Sequence, residues 1–510
     1  MIEYVVAIAF VIVLKWSWDR YHFLKLRDEM GIPGPPVRFP LGNIDYIIED
    51  IKKYGKEGTI NMRFRTAEKY GWTTGIYLGG HFEISTNDPE IINEVFIKQF
   101  SKFVNRPTQH FGAGYPMNEN ILQMTKEGVP GRGYGWKEVR SVISPIFTTG
   151  KLKAMFPVME ERVDEFVKFL KSRVGLGEIE MYRELQALTL DVIGRCAFGM
   201  KTDCINDKND VFYVNTQTFF NCLNLEESKG MFLGFLSPKL AQMIRPFTLE
   251  GRSEMTLING LKEVIKNRRK TFETDDDQRK DLITLLLEQD RERQKSQKKA
   301  PLHEETIASN CYAFLLAGYE TTSTALAFTL YALAKHLDVQ QNLYEEIMQE
   351  IGMNEEITYD VMMKMSYLDA VVKESLRRYP PVVFFTTREC VEDCVIKGIN
   401  IKKGVCIQAP VHAIHFDPEI WTNPMTFDPN RFLISNNQVD PLKWCPFGLG
   451  PRNCVGMRFA EVEIKAALIS LIRNFSVELG EELRTKELPC RVSAVLYRPM
   501  DGVPLKLNVR

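Results

Sequence analysis

The chain has 510 residues, 45% of them apolar, and a formal net charge of −1, with a pI near 6.7. That apolar fraction supplies a large core, and the near-neutral charge argues against nucleic-acid partners. Ten cysteines without a CxxC or a regular spacing match neither a disulfide framework nor a zinc site, and they fit a reducing compartment.

Length alone suggests about three domains. No Gly/Ser-rich or Pro-rich tract interrupts the chain after its N-terminal hinge, so one large unit is the better reading. The run Tyr4–Leu14 is apolar for eleven residues, shorter than the roughly 20 that cross a bilayer as a straight helix. No basic stretch precedes it and no small-residue cleavage site follows. Instead Lys15, Trp16 and Trp18 form an interface-like anchor, with Arg20, Lys25 and Arg27 beyond. The positive-inside rule keeps the rest of the chain cytosolic, whether the segment spans the membrane or inserts from one side. Ile32-Pro33-Gly34-Pro35-Pro36 is a stiff, extended hinge that cannot be helical.

Trp136 and Arg140 stand at i,i+4, so one helix face offers an indole N–H and a guanidinium together. Gly131-Arg132-Gly133-Tyr134-Gly135 lacks the GxGxxG spacing and the preceding strand of a dinucleotide site. Any electrons must therefore come from another protein. Met231–Leu236 is an apolar patch between charged residues, either a buried loop or a surface contact, and the mixed charges from Lys262 to Lys299 read as solvated helix ends and loops. A long apolar run from about Ile307 to Leu333 predicts a core helix interrupted by Ala317-Gly318-Tyr319-Glu320-Thr321-Thr322. Such a polar insert marks either a cap-like patch or a hydroxyl that bonds back one turn and opens a groove. Glu374 and Arg377 share a helix face at i,i+3, while Cys390 and Cys394 fall in a strand-and-turn region after Pro380-Pro381.

Near the C-terminus, Phe447-Gly448-Leu449-Gly450-Pro451-Arg452-Asn453-Cys454-Val455-Gly456 places a cysteine where glycines let backbone N–H groups approach its sulfur. A thiolate there suits haem iron and oxygen activation. Arg452 can meet a haem propionate, and Phe447 can cover the ring face. Phe447, Gly450, Arg452, Cys454 and Gly456 match the FxxGxRxCxG signature, and on it the chain resembles the cytochrome P-450 superfamily, in particular its microsomal, drug-metabolising branch and the invertebrate relatives of that branch.

The resemblance implies a mainly α fold with a small β component, organised as an anchor (1–30), a proline-rich hinge (31–42) and a haem-thiolate monooxygenase domain (43–510). It implies haem b bound through Cys454, with Arg106, Trp136, Arg140, Arg388 and Arg452 on the propionates and Phe447 beside the ring. It makes Glu374, Arg377 and Arg431 (in Phe427–Phe432) a structural triad, and assigns proton relay to Thr321 and Glu320. The substrate is then a lipophilic small molecule enclosed by residues around Phe111–Tyr115, Phe219, Phe220, Phe314, Ala317, Val383–Thr386 and Ser493–Leu496. Implied partners are NADPH-cytochrome P-450 reductase, cytochrome b5 and the endoplasmic-reticulum membrane, with Met231–Leu236 as a second membrane contact. Two rival functions share the haem site: a haem-thiolate isomerase or dehydratase that needs no electrons, and a non-catalytic haem sensor or carrier.

Overall fold

The computed structural model describes residues 2–107, 114–223, 238–273, 281–298, 300–433 and 439–510. Phe111 and the Met231–Leu236 patch lie outside these residues. The first helix, α1 (Ile2–Glu29), carries Glu3 in its first turn and Arg27 in its last, both favourable to the helix dipole. Its large apolar side chains from Tyr4 to Trp18 face outward. Among the described residues, no helix is long and apolar enough to cross a membrane. The hinge does not hang free. Arg27 Nη1 donates to the Pro35 carbonyl at 2.6 Å, Asn43 Nδ2 donates to that of Pro36 at 2.7 Å, and Gly75 N donates to that of Pro33 at 2.8 Å. These bonds lay the proline segment against the first strand.

The elements that build the site are α2 (Trp136–Ile143), α3 (Thr149–Lys171), α4 (Met181–Phe198), α5 (Val211–Asn221), α6 (Glu304–Lys335), α7 (Ser366–Arg378) and α8 (Met457–Asn474). Helix α6 realises the apolar run expected from the sequence. It has 32 residues, almost all buried, with Glu304 and Glu305 opening it and Lys335 closing it. It crosses α4 closely at Gly318, where an added Cβ would stand 3.0 Å from Ile193. A side chain there would force Ile193 to give way by a few tenths of an ångström.

Strands β1 (Thr74–Leu78), β2 (His81–Ser85), β3 (Thr387–Glu389) and β4 (Cys406–Gln408) form one sheet in the order β1-β2-β4-β3. Strand β2 runs parallel to β4, with Ile84 opposite Ile407, and β3 runs antiparallel, with Arg388 opposite the same residue. A hairpin of β5 (Cys490–Ser493) and β6 (Leu496–Pro499) lies near Pro381 and Val383, tied by Tyr497 N to Pro381 O and Val383 N to Val495 O, both at 2.9 Å. Cys390 and Cys394 flank a turn, as expected, with their sulfurs 3.8 Å apart. The chain is thus mainly helical, with small sheets at its margin.

Candidate active site

Cys454 lies between a one-turn helix at Gly450–Arg452 and the start of α8. Its N–H donates to the Phe447 carbonyl at 2.8 Å, closing the loop on itself. Gly448 and Gly450 adopt φ of +76° and +66°, and a Cβ at Gly450 would clash with the Phe96 carbonyl at 1.9 Å. Both positions therefore demand glycine. Protein encloses the thiol, yet its sulfur is reachable from the cavity it lines together with Phe447 and Arg452. Burial pushes its pKa up, opposed by the Gly456 N–H and by Arg140 and Arg106.

Arg106, Arg140, Arg388 and Arg452 all line this cavity, and no carboxylate does among the described residues. Their guanidinium groups use part of their capacity on the protein. Arg106 donates to Leu122 O at 3.1 Å and Arg452 O at 3.0 Å, Arg388 to Leu449 O at 3.0 Å, and Arg140 to Asn453 Oδ1 at 3.1 Å. The Nε atoms of Arg106, Arg388 and Arg452 are buried without a partner. Burial, reinforced by mutual repulsion, holds Arg388 and Arg452 well below the usual arginine range and Arg106 at about 9. Uncompensated cations in an apolar cavity call for an anionic ligand. The two propionates of haem, beside a cysteine sulfur, fit that donor set. Trp136 packs its ring beneath Arg452 at 4.7 Å and Phe385 lies 4.0 Å from Arg106, so the cluster is fixed by aromatic faces as well as carbonyls.

The triad forms as expected. Glu374 and Arg377, fully buried on α7, meet at 2.7 and 2.8 Å, and Arg431 reaches Glu374 at 3.4 Å. A link that the sequence reading missed joins this triad to the haem loop. Buried His415 sits with Nδ1 3.2 Å from Arg377 O, and its Nε2 accepts the Cys445 N–H at 3.0 Å. These partners set the tautomer, with the proton on Nδ1. Burial beside Arg377 lowers its pKa to about 3, so the ring stays neutral. A lone histidine in an apolar stretch carried no signal of this role.

Above the cysteine, α6 presents Ala313, Phe314, Ala317, Gly318, Thr321 and Thr322 to the cavity. The Thr321 hydroxyl donates to Ala317 O at 2.7 Å, the one-turn back-bond expected from the motif. Glu320 goes elsewhere. It is absent from the cavity lining; its Oε1 accepts Tyr182 OH at 2.5 Å and faces Arg498 Nη1 at 3.3 Å, and its Oε2 accepts Gln186 Nε2 at 2.9 Å. The sequence places the acid beside the threonine, but a helix turns consecutive residues about 100° apart. That rotation delivers Glu320 to α4, while Thr321 faces the cavity. Tyr182, Gln186 and Arg498 were likewise not foreseen. They stand far from any motif, and only the packing of α4, α6 and β6 brings them together.

The family model for Cytochrome P450 matches residues 40–501. The chain is 34% identical to Cytochrome P450 3A5 of Homo sapiens over 95% of its length and 92% of that protein. It is also 34% identical to Cytochrome P450 3A41 of Mus musculus, over 99% of its length and 96% of that protein, and 33% identical to Cytochrome P450 3A29 of Sus scrofa, over the same shares. The chain belongs to the cytochrome P-450 family. It is accordingly a haem-thiolate monooxygenase, with haem as its cofactor and a cysteine sulfur as axial ligand.

Proposed function

We propose that this monooxygenase inserts one oxygen atom of O2 into a lipophilic small molecule, drawing electrons from NADPH-cytochrome P-450 reductase, with cytochrome b5 as a second donor. The observation that carries the substrate class is the lining above the cysteine. Ile121, Phe219, Phe220, Phe314, Val382 and Leu496 surround it, with the Thr321 and Thr322 hydroxyls among them. Such a wall holds a hydrophobic ligand by shape, with few groups to fix its orientation.

Cys454 would ligate the iron, Arg106, Trp136, Arg140, Arg388 and Arg452 would hold the propionates, and Phe447 would pack beside the ring. When bound, haem supplies the oxygen-activating centre. Thr321, its hydroxyl facing the cavity, positions a proton for the oxygen side. The apolar wall excludes water and confines the substrate. The proline hinge at 31–42 divides the α1 anchor from the catalytic unit, and α1, with its exposed apolar face and trailing basic residues, supports residence on the endoplasmic-reticulum membrane with that unit in the cytosol.

The test is reconstitution with reductase and a panel of lipophilic compounds, scored by product mass. NADPH-dependent products carrying one added oxygen are expected, and the reduced carbon monoxide complex should show the red-shifted thiolate band, lost in Cys454→His. Product formation that is independent of NADPH would favour a peroxide isomerase instead, and complete inertness a haem carrier.

A further inference from the structure

Cys390 follows β3 directly, and Cys394 opens a separate hairpin of Cys394–Ile396 and Ile399–Ile401, so a short turn lies between them. Their sulfurs are in contact at 3.8 Å but not bonded. Cys390 is fully buried and Cys394 is 9% exposed, while Glu392, Asp393 and Val395 around them lie at the surface. One turn of chain separates the pair from water. The main chain at Cys390 is pinned on two sides: its N–H donates to Val405 O at 2.9 Å and its carbonyl accepts Gly404 N at 2.8 Å, while Glu389 N and Val391 N donate to Asn105 O and Lys102 O, both at 2.9 Å. Cys394 pairs only within its two-stranded hairpin, so its sulfur is the freer of the two. Burial raises both thiols, Cys390 to about 12, and at Cys394 the Cys390 thiol and Lys102 oppose that effect. Both are protonated at rest, and Cys394 is the more readily ionised. Neither lines the haem cavity.

We propose that Cys390 and Cys394 form a reversible redox site, oxidised by hydrogen peroxide first at Cys394 and then to a disulfide that ties the surface turn to the end of β3. In the first step the Cys394 thiolate attacks one peroxide oxygen; an S–O bond forms, the O–O bond breaks, and the departing hydroxide takes up the thiol proton and leaves as water. In the second, the Cys390 sulfur displaces the oxygen of that sulfenic acid; an S–S bond forms, the S–O bond breaks, and the hydroxyl leaves with the Cys390 proton as a second water. Two thiols lose two electrons and one peroxide becomes two waters. The sulfurs close from 3.8 Å to about 2.05 Å, so the second step is intramolecular and needs no approach from solution. Exchange with an external thiol reverses it. In a reducing compartment such a bond is transient, the behaviour of a redox sensor rather than of a structural crosslink.

The experiment treats the full-length holoenzyme with hydrogen peroxide, alkylates the remaining thiols and digests with trypsin. Cleavage after Arg388 and Lys397 releases both cysteines in one peptide, Glu389–Lys397. Most of that peptide should escape alkylation and weigh two hydrogens less, and dithiothreitol added before alkylation should restore it. Cys390→Ser should leave a sulfenic acid at Cys394 that a dimedone reagent traps, whereas Cys394→Ser, which keeps only the fully buried thiol, should trap far less. The reduced carbon monoxide band reports that each variant is folded, and Cys390→Ala or Cys394→Ala replaces a serine variant that does not hold haem. Three results would overturn the proposal: a doubly alkylated peptide under peroxide that oxidises a glutathione control, a disulfide joining Cys390 to Cys406 on β4 instead, or equal trapping in the two single variants.

Discussion

Replacing His415 with Ala removes the connection between the buried triad and the loop that carries Cys454. The ring is fully buried, donating to Arg377 O at 3.2 Å and accepting from Cys445 N at 3.0 Å. Without it, one carbonyl and one N–H lose their partners in a dry core, at about 1–3 kcal/mol each. The vacated volume adds a cavity term. The two lost partners alone, at about 2–6 kcal/mol, correspond to a shift of about 30- to 20,000-fold in the equilibrium between a closed and an open haem loop, at about 1.4 kcal/mol per tenfold. The assay follows the thiolate carbon monoxide band in a urea series, where the variant should lose the band at lower urea than the parent. His415→Gln, whose amide can both donate and accept, should recover part of the loss. Coincident curves for parent and Ala variant would refute the argument that His415 couples the triad to the loop.

Arg388→Met should weaken haem retention while raising the thermal stability of the haem-free protein. It deletes a buried cation that burial and Arg106 already disfavour, so competition with an apo-haem acceptor and melting of the haem-free form should move in opposite directions. Buried His412, pushed down to about 3 by burial and by the nearby cations, has a folded pKa below its unfolded value near 6.5. Its neutral form is native, so as pH falls below about 6.5 the unfolded chain takes a proton that the fold refuses, and stability drops. His412→Leu should accordingly gain on the parent by up to about 1.4 kcal/mol per pH unit below that point, read as a difference in urea midpoints at pH 8 and pH 5. A pH-independent difference would contradict this. Lys151 and Lys153 pair with Glu288 and Asp360, whereas Lys137, on α2, and Lys443, shortly before the haem loop, are exposed and available to a reductase. Reversing Lys137 and Lys443 together should slow reductase-driven haem reduction at low salt, an effect fading above about 0.1 M, and leave reduction by dithionite unchanged.

The haem loop was legible in the sequence because its chemistry is local. A sulfur, two glycines at positive φ and an arginine within ten residues specify one backbone shape, and nothing distant need be known. Helix α6 was equally plain, since an apolar run of that length has to form the core, and the Glu374–Arg377 pair followed from i,i+3 spacing. Two arginines remote from that loop, Arg106 and Arg388, were reached through resemblance rather than through their own surroundings. What makes their cluster require an anion is the burial of several cations together, which no linear pattern displays. Tertiary structure alone decided three further matters: that the proline hinge lies against β1, that His415 bridges Arg377 and Cys445, and that Glu320 turns from the cavity towards Tyr182, Gln186 and Arg498. Each depends on segments far apart in the chain meeting in a low-dielectric interior. There an unpaired polar group costs so much that its partner, not its neighbour in sequence, determines where it points.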